Sequence, residues 1–170
     1  FWNPHSAHAG GRKAAAVVAA ARDQIMALLP SDGRLVFTSG ATEAINLAIK
    51  GCGLPVSALA SEHAAVLDCV EYLRGDTIPV DPDGRIAEMP CKPGLFAAML
   101  VNNEIGTIQP IADIAAAVHS RGGLLLCDAV QGFGRVPIPE GPDFIAISGH
   151  KIHGPKGIGA LWVRDGIELE

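Results

Sequence analysis

Apolar residues along the chain fall into two alternating patterns. Short continuous apolar runs predict strands buried on both faces: Leu35 to Thr38, Val56 to Ala60, Asp76 to Val80, Leu95 to Val101, Leu124 to Cys127, Phe144 to Ile147 and Ile158 to Val163. Between them lie stretches with helical spacing. Arg12 to Leu29 is Ala-rich, with Val17, Val18, Ala21, Ile25 and Leu28 forming the expected apolar stripe, and Pro30-Ser31-Asp32-Gly33 ending it. Glu43 to Lys50 and Ala64 to Arg74 predict two further helices. Ile111, Ile114, Ala115 and Val118 give an i, i+3, i+4, i+7 stripe closed by Arg121 and Gly122. Asp81-Pro82-Asp83-Gly84 reads as a turn.

Strands alternating with helices predict an α/β fold: three layers, α/β/α, around a mainly parallel sheet. No repeat, low-complexity segment or linker divides the chain, so residues 1–170 are expected to form one domain without an internal boundary. At 170 residues, such a domain buries roughly two thirds of its unfolded surface.

Ligands on open sheets of this kind sit beyond the carboxyl ends of the strands. Polar residues gather at those positions: Ser39 to Thr42, Ser61 to His63, Asn102 to Glu104, Asp128 to Gln131 and Ser148 to Lys151. The strongest signal is Ser148-Gly149-His150-Lys151-Ile152-His153-Gly154-Pro155-Lys156-Gly157. A lysine just past a strand end, among a hydroxyl, imidazoles and glycines, can form a Schiff base with an aldehyde cofactor whose phosphate the small polar neighbours hold. That chemistry is pyridoxal phosphate chemistry, with Lys151 as anchor and Lys156 as its internal competitor.

Each of the other segments has a structural reading beside the functional one. Ser39-Gly40-Ala41-Thr42 turns a strand into a helix whose first N–H groups can bind phosphate, or Ser39 or Thr42 simply caps that helix. His63 can stack on a flat ring and carry protons, or it can belong to the start of a helix. Asn102-Asn103-Glu104 can bind a carboxylate, or form a turn. Asp128 can pair with a pyridine nitrogen and Gln131 with a ring hydroxyl, or Asp128 can begin a turn.

Charge and cysteine usage narrow the function classes. A net charge of −5 without a basic stripe argues against nucleic-acid binding. No apolar run approaches the roughly 20 residues of a membrane span. Cys52, Cys69, Cys91 and Cys127 have neither CxxC nor zinc-ligand spacing, so no metal site is expected. Reduced thiols in a cytoplasmic protein are the expectation. Cys52, Cys69 and Cys127 read as packing residues, and Cys91 as the exposed one.

Six segments together carry a resemblance. Asn3-Pro4-His5-Ser6-x-His8, Phe37-Thr38-Ser39-Gly40-Ala41-Thr42-Glu43-Ala44-x-Asn46, Ser61-Glu62-His63-x-x-Val66-Leu67, Val101-Asn102-Asn103-Glu104-x-Gly106-x-x-Gln109, Asp128-Ala129-x-Gln131 and the Ser148 to Gly159 segment resemble the cysteine desulfurases, NifS/IscS-like members of the class V aminotransferase group. The resemblance implies a fold-type I pyridoxal phosphate enzyme, normally a homodimer, that converts L-cysteine to L-alanine and leaves sulfur as a persulfide on an enzyme cysteine. A sulfur-acceptor or scaffold protein would then carry the sulfur to iron–sulfur cluster assembly or another transfer pathway. It further implies that Lys151 anchors the cofactor, Asp128 pairs with the ring nitrogen, Gln131 with the ring hydroxyl, and His63 stacks on the ring. Ala41, Thr42, Ser148 and His150 would bind phosphate, and Asn103 would contact the substrate carboxylate or the cofactor.

The resemblance also sets what to expect of the ends. Phe1-Trp2-Asn3-Pro4 and Glu170 are expected to be cuts in a longer protein. The family's persulfide cysteine and its carboxylate-clamping arginine come later in the family's chain, as does the small C-terminal domain. The sequence is therefore expected to cover most of the cofactor-binding large domain. A selenocysteine lyase, another class V enzyme, or a non-catalytic truncated binding domain shares the same residues and stays an alternative.

Overall fold

The computed structural model describes residues 2–170. Seven strands form one sheet: β1 (Gly33–Thr38), β2 (Val56–Leu59), β3 (Asp76–Ile78), β4 (Leu95–Met99), β5 (Leu124–Asp128), β6 (Phe144–Ser148) and β7 (Gly159–Arg164). Four helices accompany them: α1 (Ala9–Met26), α2 (Ala41–Gly51), α3 (Ala64–Tyr72) and α4 (Ile111–His119). The strand order is β1-β7-β6-β5-β4-β2-β3. β7 is antiparallel to both β1 and β6, and the remaining pairs are parallel. β1 through β6 therefore all point one way, and their carboxyl ends share one edge.

The continuous apolar runs are explained by a sheet covered on both faces. Along β4, Phe96 and Ala98 join the core beneath α4, and Leu95 and Ala97 join the core beneath α2 and α3. The same alternation separates Leu125 and Cys127 from Leu126 on β5, and Trp162 from Leu161 and Val163 on β7. Every residue of β4, and all but the first of β5, is buried. The three-layer α/β/α expectation holds, with a mixed but mostly parallel sheet.

α1 corrects the sequence reading twice. It begins three residues earlier than expected, because His8 caps it: His8 Nδ1 accepts the Gly11 N–H at 3.2 Å. The two glycines inside that first turn are tolerated for a steric reason. Gly11 is buried, and a Cβ there would run into the Ser6 carbonyl. The expected stripe is also not a core face. Val17 and Val18 are exposed at 69% and 41%, and only the last turns, through Ile25 and Met26, reach the core. Arg22 docks the helix instead, donating to the Leu35 carbonyl with its guanidinium 4.9 Å from the Phe37 ring centre. Helix spacing alone does not say which side of a helix meets protein.

Elsewhere the element bounds shift by small steps at the ends. Val101 leaves its strand and forms an isolated bridge to Ile108, and β5 and β6 extend to include Asp128 and Ser148. Among the described residues, no helix is long and apolar enough to cross a membrane.

Candidate active site

The carboxyl ends of β1, β2, β4, β5 and β6 surround a cavity of about 500 Å³, a size typical of small-molecule sites. All nine residues singled out from the sequence line it: Ala41, Thr42, His63, Asn103, Asp128, Gln131, Ser148, His150 and Lys151. They come from five separate segments, and only the parallel topology brings them together.

The helix end comes first. β1 runs into α2 through Ser39 and Gly40, and Gly40 is the N-cap, with no side chain capping the helix. Neither Ser39 nor Thr42 caps α2, so the capping reading does not hold. The Ser39 N–H and hydroxyl both donate to Glu43 Oε2 at 2.6 Å. The hydroxyl, then the N–H, hold the Glu43 carboxyl below its ordinary range. The first turn of α2 thus has no side-chain cap on its N–H groups, and its positive dipole end lies at the cavity.

Across the cavity, Ser148 ends β6, and a single 3₁₀ turn, Gly149–Ile152, carries His150 and Lys151. Ser148 Oγ lies 2.9 Å from His150 Nδ1. His153, in the left-handed region at φ 64°, stops the turn, and its N–H donates to the Gly149 carbonyl. Gly159, which starts β7, allows this side to meet the α2 end: a Cβ on it would lie 2.7 Å from Gly40 Cα.

Asp128 forms the floor. It is 6% exposed, and Oδ1 accepts the Val130 N–H at 2.9 Å. Burial raises its carboxyl above the ordinary range, partly offset by that N–H and by the charge of His63. His63 takes the helix-start role and also faces the cavity. It caps α3, with Nδ1 accepting the Ala65 N–H at 3.0 Å, and it lines the cavity. The cap fixes the neutral ring as the tautomer with hydrogen on Nε2.

The two asparagines divide their tasks. Asn102 is buried and builds the loop: its Nδ2 donates to the Ser61 carbonyl at 2.9 Å, and its Oδ1 accepts the Glu104 and Ile105 N–H groups. Asn103 is exposed and lines the cavity. Sequence reasoning gave no role to Glu43, Met99, Val101 or Val130, which also line it. Glu43 stands three residues after the N-cap Gly40, the position from which a carboxylate reaches back over a helix start. The apolar wall residues carry no such signal. Lys156 lines the cavity too.

The four cysteines stand apart. Cys69 and Cys127 are buried, Cys52 is half-buried, and Cys91 is exposed beside a separate hollow near β3. None lines the main cavity.

An uncapped helix end, a buried acid and a lysine on a short turn thus surround one cavity at the carboxyl edge of a mostly parallel sheet, where ligands of open α/β folds bind. The chain belongs to the Aminotransferase class-V family, which it matches over residues 2–169. Within that family it is similar to cysteine desulfurases. It is 42% identical to cysteine desulfurase IscS of Rickettsia akari (strain Hartford), over 96% of this chain and 46% of that protein. A cysteine desulfurase of Cereibacter sphaeroides is 40% identical, over 100% of this chain and 50% of that protein. The solved NifS-like protein from Rickettsia africae ESF-5 superposes with a TM-score of 0.92 at 31% identity, covering 100% of this chain and 52% of that one. The chain thus spans about half the length of the relatives it matches.

Proposed function

We propose that this chain is the pyridoxal phosphate-binding large domain of a cysteine desulfurase, whose whole protein converts L-cysteine to L-alanine and passes the sulfur on. The observation that carries this reading is the convergence of Lys151, Asp128 and the α2 N-terminus on one cavity. The donor set fits the cofactor. An uncapped first helical turn with Ser148 and His150 suits a phosphate. A buried carboxyl raised by burial suits a protonated ring nitrogen. A primary amine held on a short turn suits an aldehyde.

Pyridoxal phosphate supplies an electron sink when bound, which makes the substrate α-proton removable. The chain's own residues do the rest. The Lys151 amine would anchor the cofactor and, once free, serve as the base for the substrate α-proton. Asp128, oriented by the Val130 N–H, would hold the proton on the ring nitrogen. Gln131 would donate to the ring hydroxyl, and Ala41, Thr42, Ser148 and His150 would hold the phosphate. His63 would stack on the ring and offer its Nε2–H as a donor, and a proton could pass through it only when Nδ1 releases the Ala65 N–H. Asn103 binds the substrate carboxylate.

The sulfur leaves to a thiolate from outside this set of residues. None of the four cysteines lines the cavity, and two are buried. A homodimer of the whole protein and a sulfur-acceptor or scaffold partner for iron–sulfur cluster assembly complete the proposal, in a cytoplasmic setting.

The test is an absorption spectrum with added pyridoxal phosphate, before and after borohydride, with Lys151→Ala alongside. A Schiff-base band trapped on Lys151 and lost in the variant is the expected result. A folded wild-type chain with no band overturns the reading. A band that survives Lys151→Ala moves the anchor to Lys156.

A further inference from the structure

One buried titratable side chain has no task in this scheme. Glu62 follows β2 and is 6% exposed. Its Oε1 accepts the Met99 N–H at 2.6 Å, while Oε2 is buried with no partner among the described residues. Met99 ends β4 and stands opposite Asp128 in the parallel register. Glu62 therefore reaches from the end of β2 and ties down the end of β4, next to the strand whose last residue is the cavity's floor.

Two buried carboxyls within electrostatic reach do not both ionise without large cost. Their surroundings differ. Asp128 accepts the Val130 N–H, feels His63 from the start of α3, and opens on the cavity. Glu62 has one backbone donor, and no ion pair reaches it among the described residues. The other titratable group beside it is Cys127 on β5, a fully buried thiol that its own burial keeps protonated. The Asn102 side chain nearby spends its amide on the Ser61 carbonyl and Met99 sulfur, and its oxygen on Glu104 and Ile105.

We propose that Glu62 carries a proton on Oε2 at neutral pH and, as a neutral acid, is the positioning residue that holds the β4 end beside Asp128, so that Asp128 is the one anion of the pair. A neutral carboxyl satisfies the observed contact: its carbonyl oxygen accepts the Met99 N–H, and its hydroxyl replaces an unpaired buried charge. Burial first, then the nearness of Asp128, push this group well above the usual range, in the same sense. The benefit to a cofactor's ring nitrogen rests on the role given to Asp128 above, but the protonation of Glu62 does not.

The experiment labels the glutamate and aspartate side-chain carboxyls with ¹³C in the 170-residue chain without cofactor and follows them by NMR across the neutral range. Glu62 is the only buried glutamate among the described residues, so its resonance stands apart and is assigned by its loss in Glu62→Gln. The expected result is a protonated Glu62 and an ionised Asp128 at neutral pH. The Asp128 midpoint stays in place in Glu62→Gln, which keeps the acceptor for Met99. It moves by about one unit, a tenfold change, in Glu62→Leu, which removes that acceptor. An ionised Glu62 at neutral pH, or an Asp128 midpoint that drops by about one unit in Glu62→Gln, overturns the proposal. If the variants fail to fold, infrared spectra of the glutamate-labelled wild type decide it, by the presence or absence of one protonated glutamate at neutral pH. Failure of pyridoxal phosphate to bind would sink the functional reading and leave these carboxyl signals readable.

Discussion

The Arg135 guanidinium holds the Lys151 carbonyl at 2.7 Å, and its other nitrogen reaches the Gln131 carbonyl at 3.2 Å. One exposed side chain thus links the turn carrying the candidate anchor to the loop carrying the candidate ring-hydroxyl donor. These are charge-assisted bonds, weakened by solvent, and worth about 1 kcal/mol together. Arg135→Ala is expected to lower pyridoxal phosphate affinity by up to about fivefold and to cost no more than about 1 kcal/mol of stability. A cofactor titration beside a denaturant melt checks this. Unchanged affinity would show that the turn is rigid without the clamp.

Gly159 is the second point of geometric control. Any side chain there collides with the backbone of Gly40, the N-cap of α2, with Cβ 2.7 Å from Gly40 Cα. Gly159→Ala must push the helix end away from the β6 turn. The expected cost is overpacking of about 1–3 kcal/mol, with phosphate-dependent binding lost more completely than stability. Binding of the cofactor and of inorganic phosphate, measured on variant shown to be folded, tests it. Full retention of both would mean the α2 end is not part of the anion site.

The sequence disclosed the sheet well because both faces of β4, β5 and β6 are covered, leaving runs of four or five apolar residues with no polar interruption. The site was legible for a related reason: its polar residues sit where those runs stop. Ser148 and Asp128 mark the strand ends themselves. α1 was misread because Ala-rich helices carry apolar residues on several faces, and Val17 and Val18 point away from this chain's core. Glu62 was visible beside His63, but its task depends on Met99 and Asp128, which are distant in sequence. Strand register, not local pattern, brings those three together.

A buried polar knot at the opposite edge of the sheet makes a separate prediction. Asp143 Oδ2 accepts the Leu125 N–H at 2.7 Å and lies 2.7 Å from His119 Nε2. Arg164 Nε approaches Oδ1 at 3.3 Å as an ion-pair contact without hydrogen-bond alignment. This one carboxyl joins the end of α4 to β5 and β7. Asp143→Ala strands the buried Leu125 N–H and removes the carboxyl facing Arg164 and His119, and is expected to cost about 2–3 kcal/mol. The denaturant midpoint should fall accordingly, and Asp143→Asn should recover part of it through the Leu125 contact. A loss below about 1 kcal/mol would show that water replaces the carboxyl.

Glu62 also predicts how stability varies with pH. A carboxyl raised by burial binds its proton more tightly in the folded chain than in the unfolded one. Its contribution is fully present below the unfolded value of 4.5 and is lost as the pH rises through the folded value. Asp128 acts in the same direction from 3.8, so the two must be separated by substitution. Glu62→Gln removes the titration while keeping the acceptor for the Met99 N–H. The stability of the wild type relative to this variant should therefore fall as pH rises above 4.5, at most by roughly 1.4 kcal/mol per pH unit. The decline flattens once the folded chain also ionises. Urea denaturation of both chains at a series of pH values gives this difference directly. A constant difference would mean that Glu62 titrates alike in both states, and the buried neutral acid would have to be abandoned.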